Sequence, residues 1–515
     1  MNPTQPSKRL WLIALVVFWA IYGLVGRDAW KPEEALNFGQ VMDWQAGRFS
    51  AWTTPVPLYT AVAGTLANVL PPVIDSQDAA RLASGLFILL ALAFVGMGSR
   101  ALFGPGFGTA AVLALMSSFG LMLLGHALLP ETALLATWAL LLSGMAIARK
   151  RAETGAILIG LALILCALGL RGLPDLLTAL LVLFAPLLFS SWRERHYRQA
   201  LVQGLVFAAA AIIAGLAWLG MSGRFGGWWA NHSLAWAWTF RSPARIYPDL
   251  AWAAWPLWPL ALAGIWHAHR RLGRSAELQP LLIALAIALV QALLPVWSRD
   301  GGLLPVLAPL ALLAAYGLEV LRRGAAQSLY WFGVLCFLFF AMAFWVYFIA
   351  IEWGWPVNLA RHLARLTPNY VRGSVPRLSI YLAMTATALW IIAIPLFQRA
   401  KIRPVLVWAT GMMLAWILIV ALYRPWIEAG WGYRPLLADM ARHLPGNACV
   451  RARVDPAMRV MLHYHLGMTG SGKCGYVLRL VTNGEARNKS GAHVLWEGSR
   501  PRVKSQRYRL ELSDD

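Results

Sequence analysis

Long apolar runs separated by short polar gaps fill most of the chain. A helix that crosses a bilayer needs about 20 mostly apolar residues. Thirteen runs approach that length: 10–26, 81–99, 107–125, 131–148, 153–170, 175–190, 203–220, 250–267, 280–297, 303–321, 328–350, 377–396 and 403–423. The first has no small-residue cleavage site after it, so it reads as a retained helix and not as a signal peptide. The pattern changes after residue 424. Arg434 to His443 reads as a helix. Short alternating or branched runs near Cys449–Val454, Tyr476–Val481, Val494–Glu497 and Arg507–Leu512 read as strands. The expected architecture is an all-α polytopic bundle over 1–424, with about 13 transmembrane helices, followed by a small α/β domain over 425–515.

Composition agrees with a bilayer. Of 515 residues, 59% are hydrophobic and 13% charged, against about 25% charged in soluble domains. The net charge of +22 would suggest nucleic acid in a soluble protein. Here the cations fall in alternate gaps, so orientation in the membrane explains them and no nucleic-acid partner is expected. Lys8 and Arg9; Arg100; Arg149, Lys150 and Arg151; Arg193, Arg195 and Arg198; Arg270, Arg271 and Arg274; Arg322 and Arg323; and Arg399, Lys401 and Arg403 occupy every second connection. Short cationic loops stay in the cytoplasm. The N-terminus is therefore expected inside and the C-terminal domain outside. Loops 27–80, 221–249 and 351–376 are also expected on the outer side.

Candidate chemistry concentrates on that outer side. Charges are expensive in a membrane protein and tend to serve function. Asp28, Glu33 and Glu34 open the first outer loop, and the segment from Pro32 through Phe38, Val41, Met42 and Trp44 reads as an amphipathic helix. Glu131 opens the fourth run after Pro130. First-turn acids are also ordinary compensation for the helix dipole, and both readings stand at this point. Arg171, Arg299, Arg241 and Arg245 lie on the same side, with Arg224 and His232 nearby. They run against the positive-inside bias. Snorkelling to lipid headgroups and a guanidinium clamp for phosphate are the two explanations. Of 27 tryptophans, Trp228, Trp229, Trp236, Trp238, Trp252, Trp255, Trp258, Trp353 and Trp355 crowd the outer face. An interfacial belt accounts for most of them. Cys166 and Cys336 lie in apolar runs. Cys449 and Cys474 share the tail, where an oxidising compartment permits a disulfide. No metal-ligand spacing and no nucleotide-binding glycine motif occurs, so no metal or soluble cofactor is expected.

The motifs resemble those of the GT-C membrane glycosyltransferases, in the branch related to protein O-mannosyltransferases and the transferase that adds aminoarabinose to lipid A. Trp30-Lys31-Pro32-Glu33-Glu34-Ala35 is similar to the W-x-P-D-E-x motif of the first outer loop, and Pro57-Leu58-Tyr59 to the P-P-L-Y stretch. Pro130-Glu131 resembles the second acidic site, Arg171-Gly172-Leu173-Pro174 a K-G-P-like turn, and Arg299 to Pro305 the later S-K-L-P-x-Y-L-L-P stretch. The chain departs from the pattern in several places. Glu33 stands for Asp, Leu36 and Asn37 replace Arg and Tyr, and Thr53, Thr54 and Pro55 replace the Glu-Lys that precedes P-P-L-Y. That lysine binds donor phosphate in the lipid A enzyme.

The resemblance implies an inverting transferase in the bacterial inner membrane. It would move a hexose or pentose from a polyprenyl-phosphate donor to lipid A, a glycan or a protein at the periplasmic face. Glu33, Glu131 and Glu34 would be the catalytic candidates. Arg171, Arg299, Arg241 and Arg245 would hold the donor phosphate, and Asp28, His232 and Tyr59 would contact acceptor or sugar. A monomer is expected. A flippase of lipid-linked glycans and a non-catalytic assembly factor on the same fold remain the alternatives. A flippase would carry charges near the bilayer midplane.

Overall fold

A computed structural model of the chain describes residues 6–48, 50–71, 73–233, 240–397, 402–446, 448–468, 474–481, 494–503 and 506–512, and side chains from Leu10 onward. Trp236, Trp238, Arg399 and Lys401 lie outside the described residues. The thirteen apolar runs are largely helical, although the run at 250–267 is divided between helices Pro243–Ala253 and Leu257–Ala268, and those at 10–26 and 280–297 outlast their helices, which end at Ile21 and Leu293. Eight helices are long and apolar enough to cross a membrane: Ser76–Phe103, Glu131–Ala148, Ala152–Gly169, Arg195–Met221, Gly301–Val320, Arg323–Trp353, Arg377–Phe397 and Arg403–Trp431. A further pair, Leu257–Arg274 and Gln279–Leu293, meets at 114° and makes nine spans if taken as one. Leu10–Ile21, Phe107–Met116 and Leu173–Leu188 are shorter apolar helices. The protein is a multi-pass membrane protein.

The run at 107–125 is two helices, Phe107–Met116 and Phe119–Leu124. Ser117 and Ser118 part them. Their hydroxyls donate back to the carbonyls of Ala114 (2.6 Å) and Leu115 (2.8 Å), a local bond that competes with the helical ladder. Span Ala152–Gly169 ends in a π-turn over Leu165–Gly169. Gly172 follows at φ +75°, where a Cβ would lie 2.6 Å from that of His232. Only glycine fits both the left-handed backbone and the space.

The chain forms two compact units. One comprises Met1–Val25, Asp43–Leu338 and Leu389–Trp416; the other comprises Gly26–Met42, Phe339–Ala388 and Ile417–Asp515. The second departs from the expected boundary at 424, because helix Arg403–Trp431 runs through it. It also recruits the start of the first long loop.

Four strands are present among the described residues: β1 (Val450–Arg453), β2 (Tyr476–Val481), β3 (Val494–Ser499) and β4 (Arg507–Leu512). The sheet order is β1-β2-β4-β3, with β1 parallel to β2 and the other pairs antiparallel. A parallel pair needs a crossover. Helix Pro456–Leu466, which the apolar pattern did not reveal, supplies it. Asp455 caps that helix through the Met458 N–H (3.0 Å) and accepts from the Tyr508 hydroxyl (2.7 Å). The tail core holds Tyr433, Leu437, Met458, Met461, Leu478 and Leu510, together with Ala29 and Ala35 from the first loop. Phe38 meets Tyr464 edge-on at 4.8 Å. Gly39 lets Val460 approach, since a Cβ there would sit 2.6 Å from its methyl carbon. Residues 32–42 are thus a core element of the second unit. Cys449 and Cys474 form a disulfide, 25 residues apart in sequence.

Candidate active site

In the first unit Glu131, Arg171 and Arg241 converge on one turn, 297–301. Glu131 begins helix Glu131–Ala148 and is 4% exposed. Its Oε1 accepts the Ser298 N–H at 3.1 Å. Its Oε2 is buried and has no hydrogen-bond partner among the described residues. Gly301 makes room for this carboxylate, because a Cβ there would lie 2.5 Å from Glu131 Cδ. An enclosed carboxylate oxygen without a donor is costly, and a hydrogen-bond donor placed against it would relieve that cost.

Arg171 lies in the turn between Ala152–Gly169 and Leu173–Leu188. Its guanidinium stands 5.3 Å from the ring centroid of Trp297, a cation–π distance. Its Nε has no acceptor among the described residues. Burial pulls its pKa below the usual value, while the charges of Glu131 and Asp175 pull the other way. Arginine remains charged through such a shift. Arg241 approaches the same turn. Its Nη2 donates to the Trp297 carbonyl at 2.6 Å and its Nη1 to the Ser298 carbonyl at 3.4 Å. Two guanidinium groups and one buried acid therefore meet through the Trp297–Ser298 dipeptide.

Neither a protein-family model nor a curated protein matches the sequence. Among solved structures, the chain is similar to ArnT from Cupriavidus metallidurans in the apo state, with a TM-score of 0.66, 16% identity and 98% of each chain covered. ArnT bound to undecaprenyl phosphate gives 0.66 at 15% identity, again over 98% of each chain. The fold is that of ArnT, the GT-C lipid A aminoarabinose transferase. The oligosaccharyltransferase AglB from Archaeoglobus fulgidus overlaps more loosely, with a TM-score of 0.38 and 11% identity over 90% of this chain and 65% of that one.

Within this fold the residues at 53–55 take a definite shape. Thr54 is buried and turns inward, donating to the Ala51 carbonyl (2.6 Å) and meeting the Thr60 hydroxyl (3.1 Å). Thr53, Thr54 and Pro55 place no cation at this position.

Several expected site residues take other roles. Tyr59 is 1% exposed, with its hydroxyl 2.7 Å from that of Ser84 and its ring stacked on Phe87. Its ring packs in the core. His232 is fully buried and stacks on Trp228 at 4.9 Å. Burial pulls its imidazole pKa down, so it backs the Gly172 turn as a neutral ring. Arg299 is 57% exposed and paired with Asp249 at 2.6 Å, so its charge is already met in solvent. Arg245 is exposed, on helix Pro243–Ala253.

The three acids of the first loop belong to the second unit. Arg27 grips Glu34 with two bonds, Nη1 to Oε2 at 3.1 Å and Nη2 to Oε1 at 2.8 Å, both side chains almost wholly buried. The Trp30 N–H also donates to Glu34 (3.1 Å). Glu34 is therefore a satisfied structural acid, and Glu33 beside it is exposed. Asp28 departs from its expected role in substrate contact. It is 1% exposed and accepts the N–H groups of Tyr433 (2.6 Å), Arg434 (2.7 Å) and Ala29 (2.8 Å). His465 Nε2 lies 3.4 Å away. Asp28 caps helix Arg434–Ala441, satisfying N–H groups the helix start leaves unpaired. Burial works to raise its pKa, but His465 and the backbone N–H groups of Arg434 and Ala29 outweigh that and hold it below the usual value.

Sequence reasoning overlooked Asp175, which is 1% exposed. It accepts from the Arg171 N–H (2.9 Å), Gln291 Nε2 (3.0 Å) and Trp297 Nε1 (3.1 Å). Two residues after a Gly-Leu turn and just behind Pro174, it has the pattern of an ordinary first-turn acid. The only distinguishing signal was its closeness in sequence to Arg171.

Proposed function

We propose that the chain transfers a hexosyl or pentosyl group from a polyprenyl-phosphate donor to an envelope acceptor: lipid A, a glycan or a protein. The reading places this chemistry at the periplasmic face of the bacterial inner membrane. The observation that carries it is the buried Glu131 oxygen without a donor, beside an Arg171 guanidinium whose Nε has no acceptor. That pairing suits a reaction between a hydroxyl and a phosphate ester. The ArnT structure bound to undecaprenyl phosphate supports a lipid-phosphate ligand for this fold.

In the proposed reaction an acceptor hydroxyl oxygen attacks the anomeric carbon, and its proton passes to a carboxylate. The bond from that carbon to the phosphate oxygen breaks, its electron pair stays on oxygen, and polyprenyl phosphate leaves. Arg171 and Arg241 offset the charge growing on the phosphate. In-line attack inverts the anomeric centre. Glu131 takes or orients the acceptor proton, and exposed Glu33 is the second candidate acid. Thirteen crossings, with the N-terminus inside, would put the tail in the periplasm.

The test is incubation of purified protein with radiolabelled polyprenyl-phosphate sugars and envelope extract, for wild type, Glu33→Gln and Glu131→Gln. A positioned base contributes about 10² to 10⁴ in rate, so the variant lacking it falls by that much. Label that moves across vesicles without entering an acceptor would make the protein a flippase. No consumption of any donor would leave an assembly factor. Phosphatase fusions after Arg151 and after Asp515 check orientation, with activity expected only for the second.

A further inference from the structure

We propose that Asp175 is the positioning residue that sets both phosphate-binding arginines and the acid Glu131 in register. This rests on the reading that Arg171 and Arg241 hold a donor phosphate. An acid that only offset a helix dipole would need no partner on other segments. Asp175 has partners on three: the backbone N–H of Arg171, the amide of Gln291 on helix Gln279–Leu293, and the indole N–H of Trp297.

The bond to Arg171 closes the turn in which that residue sits, and His232 blocks the turn from behind at Gly172. The bond to Trp297 fixes the orientation of the indole. The face of that ring is the surface beside the Arg171 guanidinium. Asp175 thus holds the backbone of Arg171 and the plate its charge rests on. It does so without taking up the guanidinium donors, whose Nε has no acceptor among the described residues. Backbone and ring hold the cation in place while its hydrogen-bonding capacity stays open to an anion.

Trp297 passes the constraint on. Its carbonyl receives Arg241 Nη2, and the next N–H, from Ser298, holds Glu131 Oε1. One buried carboxylate reaches both guanidinium groups and the acid through its bond to Arg171 and through the Trp297–Ser298 dipeptide.

The experiment measures binding of undecaprenyl phosphate to full-length protein in nanodiscs, for wild type, Asp175→Asn, Trp297→Phe and the double variant. Asp175→Asn keeps the size and loses the charge. Trp297→Phe keeps an aromatic plate and loses the N–H. Asp175→Asn is expected to weaken binding about tenfold, the scale of one hydrogen bond to a charged group. Trp297→Phe should weaken it by a smaller factor. The effects of the two changes should be less than additive in the double variant, because they share the bond from the indole N–H to Asp175. A merely structural carboxylate would lower the folded fraction and the melting temperature while leaving the Kd of folded molecules unchanged. Unchanged Kd in both single variants, with wild type binding, overturns this proposal alone. Failure of wild type to bind overturns the donor-phosphate reading and this proposal with it.

Discussion

Replacing Gly301 with alanine should separate the integrity of the fold from the placement of Glu131. The backbone at Gly301 lacks positive φ, so alanine meets no conformational penalty there and only space is short. The new Cβ would lie 2.5 Å from Glu131 Cδ, and ordinary contact begins at 3.4 Å. The carboxylate must retreat by the difference, about 0.9 Å. It sits at the end of a flexible side chain, so it yields before the backbone does. The retreat stretches the 3.1 Å bond from the Ser298 N–H beyond useful length, and a hydrogen bond to a charged group is worth about 1.5–3 kcal/mol. The stability loss should stay near that figure. Misplacing a reacting group by about 1 Å lowers turnover by about 10²-fold. Gly302→Ala is the control, because a Cβ there meets Trp297 Cβ at 3.4 Å and Arg241 Nη1 at 4.0 Å, both ordinary contacts. The assays are the melting temperature in detergent and turnover of labelled donor. Equal turnover in the two alanine variants would refute the placement argument.

Three other outcomes follow from the second unit. Arg27→Met strands the buried Glu34 carboxylate and should cost about 3–5 kcal/mol in denaturation, whereas Glu33→Gln, on the exposed neighbour, should stay within about 0.5 kcal/mol; an Arg27→Met protein as stable as wild type would dissolve the pair as a structural element. Asp28 has a depressed pKa when folded, so its contribution is complete above the ordinary carboxylate value of about 3.9 and disappears as pH falls below it. Asp28→Asn should therefore lose roughly 1.5–3 kcal/mol at pH 7 and lose less to acid than wild type in melts taken from pH 7 down to pH 3. Closing a loop of about 25 residues with the Cys449–Cys474 bond should stabilise the tail by about 3 kcal/mol in the chain-entropy model; intact mass after alkylation, with and without reductant, checks the bond, and a Cys449→Ser/Cys474→Ser melt checks the energy.

The helical runs and the strands were legible because each is written in a local pattern, apolar length for the one and period-two alternation for the other. The expected thirteen crossings, by contrast, compare with eight helices long enough to span among the described residues, or nine with the bent pair. The break at 117–118 was missed because two serines do not lower the hydropathy of a long run, though their hydroxyls end the helix. The site was legible in part. Glu131 and Arg171 stood out as charges at the ends of apolar helices, and they do meet one turn. Asp28 looked like a substrate group because its partners, Tyr433 and Arg434, lie at the other end of the chain. Glu33 and Glu34 are neighbours in sequence, yet about 100° apart around a helix. Only the fold shows which one Arg27 claims. Asp175 escaped notice because the indole that gives it meaning is 122 residues away.

The bond between Asp28 and the Tyr433 N–H spans 405 residues, and this orders events during synthesis. At about 5–20 residues per second, the ribosome needs roughly 20–80 s to travel from one partner to the other. Through that interval Gly26–Met42 has neither the helix start that Asp28 caps nor the apolar core that takes in Ala29, Ala35 and Phe38. The stretch Gly26–Met42, among the first of the outer segments to be made, is therefore among the last to settle, and a message cut short before codon 433 would leave it without a home.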